Sequence, residues 1–216
     1  KKGITALYKY DKELADEVRH LESRSDHYED ILSAYLVKLS SSNISEHDSV
    51  ESAKLLKMIG DFERISDHSV NLLESAEEMK EKGIEFTDNA KKEINTLCNA
   101  VTEILDLTYK AYIDNDIETA YLVEPLEQVI DGLKEKMRTH HILRLQQGEC
   151  SIVAGFVWSD LLNNLERTAD HCSNIAGCLI EAANNKMTIH EDLRDIRSNS
   201  QDYWDKYKNY LGKYAV

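Results

Sequence analysis

Apolar residues recur along this chain at intervals of three and four, the spacing that lines one face of an α-helix. Leu55, Ile59, Phe62, Ser66, Ser69 and Leu73 track one such face, with serine at two of its positions. Leu161, Leu165, Thr168, Ala169 and Ile175 track another. The pattern stops at Ser40–Ser49, Glu81–Asn89, Asp114–Asp116, Gln146–Ser151 and Asn184–Asp192. Each stretch carries Ser, Asp, Asn, Thr or Gly, the residues that cap or end helices. These breaks predict helices at 3–40, 47–82, 88–114, 116–146, 151–184 and 191–213. Pro125 lies inside the fourth and should kink it or open a new segment, because proline lacks the backbone donor. Six long helices pack as bundles, so the expected fold is all-α. Gly60 and Gly155 fall in mid-helix, where glycine costs about 1 kcal/mol relative to alanine unless a neighbouring helix needs the space. Both are expected to mark close helix contacts.

The second layer of pattern is a duplication. Glu63-Arg64, Asp67-His68 and Asn71 recur as Glu166-Arg167, Asp170-His171 and Asn174, 103 residues later. A shift of 105 residues lays Asp11–Asp26 on Asp116–Asp131 with seven of sixteen positions identical, Glu22 on Glu127 and Asp26 on Asp131 among them. Self-similarity at this period means two copies of one supersecondary unit. The domains are then expected at 1–84 and 85–186, with a tail at 187–216. The halves are unequal. A full helix precedes Asp116, but only ten residues precede Asp11. At the other end Leu193, Ile196, Ser200, Tyr203, Tyr207, Tyr210 and Tyr214 form a surplus seam with a/d-like spacing. Two antiparallel three-helix bundles result if the tail helix completes the first one. A homodimer results if a second copy of the chain supplies the missing helix instead.

Composition narrows the function. One proline and eight glycines are a poor supply of turn formers for a sheet protein. A formal charge of −14 opposes wrapping nucleic acid, whose phosphates it would repel. Cys98, Cys150, Cys172 and Cys178 form no close C-x-x-C pair, which suits a reducing compartment. No apolar run approaches the roughly 20 residues needed to cross a bilayer, so direct membrane insertion is not expected. No signal peptide is evident. The chain opens on Lys1 rather than Met, as a piece of a longer protein would.

The duplicated acids are the candidate chemistry. Residues at i and i+4 share one helical face. Each half carries two such pairs, Glu22/Asp26 with Glu63/Asp67, then Glu127/Asp131 with Glu166/Asp170. The two pairs of a half stand at similar distances from its turn, on helices expected to pack antiparallel. Four carboxylates at one height repel and call for a cation. Oxygen ligands suit Mg²⁺, Ca²⁺ and Mn²⁺, with iron, or zinc aided by His68 or His171, also feasible. The competing reading is a salt-bridged scaffold in which Arg64 and Arg167 reach acids on the next helix. The pair His140-His141 has no counterpart in the other half and reads as structural. A di-metal enzyme of the ferritin type needs Glu-x-x-His on two helices, and only Glu17-x-x-His20 occurs. No Gly-x-Ser-x-Gly and no phosphate-cradling glycine loop is present, so no enzyme activity is expected.

The repeated pentads resemble the signature of the PhoU family. Val123–Ala176 is similar to the C-terminal PhoU-like domain of bacterial sodium/phosphate cotransporter family proteins. The resemblance covers roughly 11–80 and 112–180. It implies tandem three-helix bundles and an accessory, negatively regulating role in phosphate uptake. It also implies metal-motif positions at Glu22, Asp26, Glu63, Asp67, Glu127, Asp131, Glu166 and Asp170. The implied partner is a membrane transporter domain in the same polypeptide, and the implied place is the cytoplasmic side of the bacterial inner membrane.

Overall fold

This computed structural model describes residues 1–42, 44–184 and 201–216. The described residues are helical, with no strand among them. Eight helices follow in chain order: α1 Lys2–Tyr8, α2 Lys12–Ser40, α3 Glu46–Lys82, α4 Asp88–Asp114, α5 Ile117–Ala120, α6 Val123–Gln146, α7 Ile152–Asn184 and α8 Gln201–Lys213. Helices α1–α3 make the first bundle and α4, α6 and α7 the second. The two meet along α3 and α7.

The helix ends obey the chemistry of their residues. Ser45 accepts from the Asp48 amide and Thr87 from the Ala90 amide, satisfying amides that the first turn leaves without partners. Gly83 closes α3 in the left-handed region, and Asn115 closes α4 there at φ 50°. The single helix expected over 3–40 is broken at Lys9–Asp11, where Asp11 accepts from the Leu14 amide at 2.8 Å and caps α2. Asp116, its counterpart 105 residues on, does the same for α5 with the Thr119 amide at 3.1 Å. The duplication therefore repeats a cap as well as a face. Pro125 sits at the third position of α6, where no intrahelical bond is forfeited. A new segment opens there, one of the two outcomes expected for that proline.

The core is lopsided. Leu97, Ile104, Leu126, Ile130, Met137, Trp158, Leu161 and Leu165 are all but sealed in the second bundle. The first bundle has a small separate cluster of Ala6, Ala15, Val18, Leu73 and Ala76. The cause is helix length: α4 has 27 residues and α1 only seven. Along α2, Leu21, Tyr28, Ile31, Leu32 and Tyr35 consequently remain exposed. Where α1 does reach, it packs hard, since a Cβ on Gly3 would come within 2.4 Å of the Ser69 carbonyl oxygen.

Two expectations need correction. The tail helix does not complete the first bundle: α8 packs on α6 of the second. The seam itself is right in its described part, with Tyr203 and Tyr214 buried and Tyr207 and Tyr210 half-buried. Its Leu193, Ile196 and Ser200 lie outside the described residues. A polar anchor on α4 holds the end of α8 in this position. Lys213 reaches both Glu103 carboxylate oxygens at 2.8 Å, and the Tyr214 hydroxyl donates to the same carboxylate. Gly60 is the second correction, because nothing stands within 4 Å of a Cβ placed there. Gly155 does mark a close contact, with His141 Nε2 at 2.9 Å from such a Cβ.

Tyr214 combines burial with a charge-assisted hydrogen bond, so Tyr214→Ala should lower stability by about 1.5–3 kcal/mol. Tyr214→Phe should cost less, because the ring stays buried and only the hydroxyl's bond is lost. Urea denaturation checks both. Unchanged midpoints would mean that the tail contributes nothing to the second bundle.

Candidate functional site

The two pentads meet at the centre of the molecule. His68 and Asn71 of α3 both donate to Asn164 Oδ1 of α7, at 2.9 and 3.1 Å. His171 and Asn174 of α7 both donate to Asp61 Oδ1 of α3, at 2.9 and 3.3 Å. Asp61 and Asn164 are themselves related by the 103-residue shift of the pentads. Each half thus offers one acceptor to the other half's His and Asn. The two imidazoles lie against each other between these bonds, ring centroids 5.6 Å apart and planes 27° from parallel. The result is a reciprocal polar clasp about a local pseudo-two-fold axis.

The clasp is not symmetric in charge. On one side Asp61 pairs with His171, and Asp61 Oδ2 is buried without a partner. On the other side an amide replaces the carboxylate. Asn164 is fully used, its amide nitrogen donating to the Asp160 carbonyl at 2.8 Å. His68 donates through Nδ1, and its Nε2 is buried with no acceptor. A second proton there would be stranded. Burial, chiefly, holds His68 below the ordinary histidine value; the nearby His171 and Arg167 act in the same sense, and its bond to Asn164 and the Asp67 charge oppose them.

None of the eight predicted acids bonds to the clasp, and the structure treats the two halves differently. In the first half Glu63 and Asp67 are half-buried and share a hydrogen bond. Glu63 is raised above the ordinary carboxylate value, first by burial, then by the Asp67 charge and that bond, and also by Glu29 across on α2; Arg64 offsets part of this. Glu22 is half-buried and Asp26 exposed. In the second half Glu166 forms a salt bridge with Lys134 at 3.0 Å. Glu127 is buried and accepts from Gln128 Nε2 at 2.7 Å, Asp131 is half-buried and Asp170 exposed. Among the described residues no three His, Cys, Asp or Glu side chains gather as a group that could hold a metal ion.

One substitution explains the difference. Under the 105-residue shift Glu29 falls on Lys134, as Glu63 falls on Glu166 under the 103-residue shift. The same pair of positions holds two acids in the first half and a lysine–glutamate bridge in the second. The shifted alignment alone could have revealed it, because both residues are legible in the sequence. Asp61 and Asn164 could have been found the same way. The Glu93 cluster could not. Glu93 is buried and bonds His140 at 2.6 Å and Arg144 at 2.9 Å, joining α4 to α6 across 47 and 51 residues. His140 is thereby structural, as its lack of a repeat partner suggested.

Removing the shared acceptor should be costly. Asn164→Ala strands the buried Nδ1–H of His68, a loss of about 1–3 kcal/mol, while the exposed Asn71 amide turns to water. Because its folded value is depressed, His68 contributes stability that is full above its unfolded value near 6.5 and is lost as pH falls through the folded value. Denaturation midpoints should therefore decline below pH 6.5, and less steeply in His68→Gln. An identical pH profile in that variant would remove His68 from the account.

The chain can now be set beside known proteins. A family model for the PhoU domain matches residues 1–76 and 94–179, one stretch in each half. The phosphate-specific transport system accessory protein PhoU homolog 1 of Thermotoga maritima is 28% identical over 147 residues, 68% of this chain and 62% of that protein. PhoU homolog 2 of the same organism is 25% identical over 123 residues, 57% of this chain and 48% of that protein. The match thus spans about half to three fifths of these relatives' length. The crystal structure of PhoU from Pseudomonas aeruginosa superposes with a TM-score of 0.77 at 20% identity, over 86% of this chain and 88% of that one. The phosphate transport system regulatory protein PhoU from Streptococcus pneumoniae does so at 0.71 and 19%, over 87% of each. With both halves matched by one family model and the fold shared end to end, the chain belongs to the PhoU domain family.

Proposed function

We propose that this chain is a regulatory, accessory domain of a phosphate transport protein of the sodium/phosphate cotransporter type. The observation that carries the reading is the match of both halves to one family whose named relatives are accessory proteins of phosphate-specific transport. The likeness of Val123–Ala176 to the cotransporter's C-terminal domain narrows it. In this reading the transporter lies in the same polypeptide, and the domain sits on the cytoplasmic side of the bacterial inner membrane. No helix among the described residues is long and apolar enough to cross a membrane, so the domain would act on the transporter from outside the bilayer. The clasp supplies a means. It holds the two bundles in one register, so a partner gripping both would meet them in a fixed mutual arrangement. Phosphate uptake by cells carrying the full-length protein tests the role. Removal of this domain should raise uptake; unchanged uptake would exclude negative regulation.

Cation binding, where it occurs, is proposed for the first half. There the charges of Asp67 and Glu29 both act on Glu63, whose raised value registers the repulsion. In the second half Lys134 already supplies the positive charge. A hard ion such as Mg²⁺, Mn²⁺ or Ca²⁺, or an iron or zinc ion, would have to draw the acids of α2 and α3 closer than they stand. A ligand that binds only the folded form raises stability by RT ln(1 + [L]/Kd). Thermal melts with Mn²⁺ should therefore show a gain that Glu63→Gln with Asp67→Asn abolishes and Glu166→Gln leaves intact. Without metal, Glu63→Gln should slightly stabilise the protein at neutral pH, since a carboxyl with a raised value opposes folding once ionised. No Mn²⁺-dependent gain at millimolar concentration, with stability falling in the double variant, would mean that the acids are scaffolding.

A further inference from the structure

A cavity of about 360 Å³ opens between α6 and α7, beside the second pentad. In a chain with a net charge of −14 its lining is unusual. Lys134 and Arg138 stand one turn apart on α6, and among the described residues no carboxylate lines it. Ser159 and Asn163 add a hydroxyl and an amide from α7, four residues apart and so on one face. Ile142 and Leu162 make an apolar wall.

The floor carries two ring nitrogens without partners. His141 and Trp158 stack with ring centroids 5.8 Å apart. Both side chains are more than nine-tenths buried and both line the cavity. His141 Nε2 and Trp158 Nε1 have no hydrogen-bond partner in the protein. Unsatisfied buried polar atoms are rare in folded proteins and mark a strained or ligand-binding place. Gly155 leaves that nitrogen uncovered, since a Cβ there would stand 2.9 Å from it. The neighbouring charges are accounted for. Lys134 holds Glu166 at 3.0 Å, Arg138 lies 3.9 Å from Glu135, and Arg144 sits over the Trp158 ring while bound to Glu93. Arg138 is thus the most available cation, two-thirds exposed at the rim.

We propose that this cavity binds a phosphate-class oxyanion, either free phosphate or the head of a small phosphate ester. Arg138, with its planar fork of donors, is suited to such a head, and Lys134 adds a point charge. The hydroxyl of Ser159 and the amide of Asn163 offer uncharged donors. The volume exceeds what an inorganic ion needs and falls within the range of small-molecule sites, with the apolar wall left for an organic remainder. The cavity also touches the regulatory reading at one point. Lys134 serves both the oxyanion and Glu166, so occupancy would weaken the bridge of the second pentad's acid. Binding itself is separable from any effect on a transporter.

Trp158 reports on the site directly. In a Trp204→Phe background its fluorescence can be followed as inorganic phosphate, glucose 6-phosphate or glucose is added. A saturable change with either phosphate and none with glucose is expected. Equal response to both phosphates identifies the free ion as sufficient, and tighter binding of the ester identifies an organic ligand; both uphold the site. Arg138→Gln, at an exposed position, should leave the thermal midpoint unchanged and weaken binding about tenfold, the loss of one charge-assisted bond. Arg24→Gln removes an equal charge from the exposed face of α2 and should leave binding alone. No response to either phosphate at millimolar concentration, or equal weakening by both substitutions, overturns the proposal.

Discussion

Everything in this fold is arranged around the contact between α3 and α7, and that contact is polar at its heart. Two acceptors, Asp61 and Asn164, each receive a histidine and an asparagine from the opposite bundle. Asp61 and His68 are buried there, and each finds its hydrogen-bond partner in the other half. A slip of one helix along the other would strand four donors at once. The clasp therefore sets the register of the bundles more sharply than apolar side chains alone would. Met58, Leu72 and Ile175 bury surface nearby, but apolar contacts tolerate sliding and hydrogen bonds do not.

The duplication is kept in the donors of this contact and in two helix caps, and relaxed in the acceptors. The caps at Asp11 and Asp116, the imidazoles and the asparagines repeat faithfully. The acceptors have parted into a carboxylate and an amide, and the facing position on the second helix into Glu29 and Lys134. One half is left with crowded negative charge, the other with an internal ion pair. The halves have parted in bulk as well. The second bundle has a continuous apolar core and takes α8 against α6, whereas the first has a short opening helix and leaves apolar side chains of α2 exposed.

Helical class, several helix ends and the internal repeat were legible in the sequence, because local rules govern them. Helical periodicity shows in the spacing of Leu161, Leu165 and Thr168, and helix ends show in Ser45, Thr87, Gly83 and Asn115, whose side chains or backbones act within a few residues. The family resemblance rested on the same pentads that the structure places at the joint. The role of those pentads was read only in part. Glu63, Asp67, Glu166 and Asp170 drew attention as ligands, yet His68, Asn71, His171 and Asn174 make the contact between halves. A residue's type states which bonds it can make and leaves open which element will stand opposite.

The sequence by itself determined that the tail would form a helix with a tyrosine seam, which in its described part is buried or half-buried. Only the tertiary structure decided which groove it enters. An a/d stripe fits any apolar groove of the right length; in the fold it lies on α6, with its end bound to Glu103 of α4, a carboxylate about 110 residues away that Lys213 and Tyr214 both reach. The same holds for Glu93 with His140 and Arg144, and for the cavity where Lys134 and Arg138 of α6 face Ser159 and Asn163 of α7. Spacing along one helix places side chains on a face within a few residues. Which faces meet depends on the packing of the whole chain, a balance that no local pattern records.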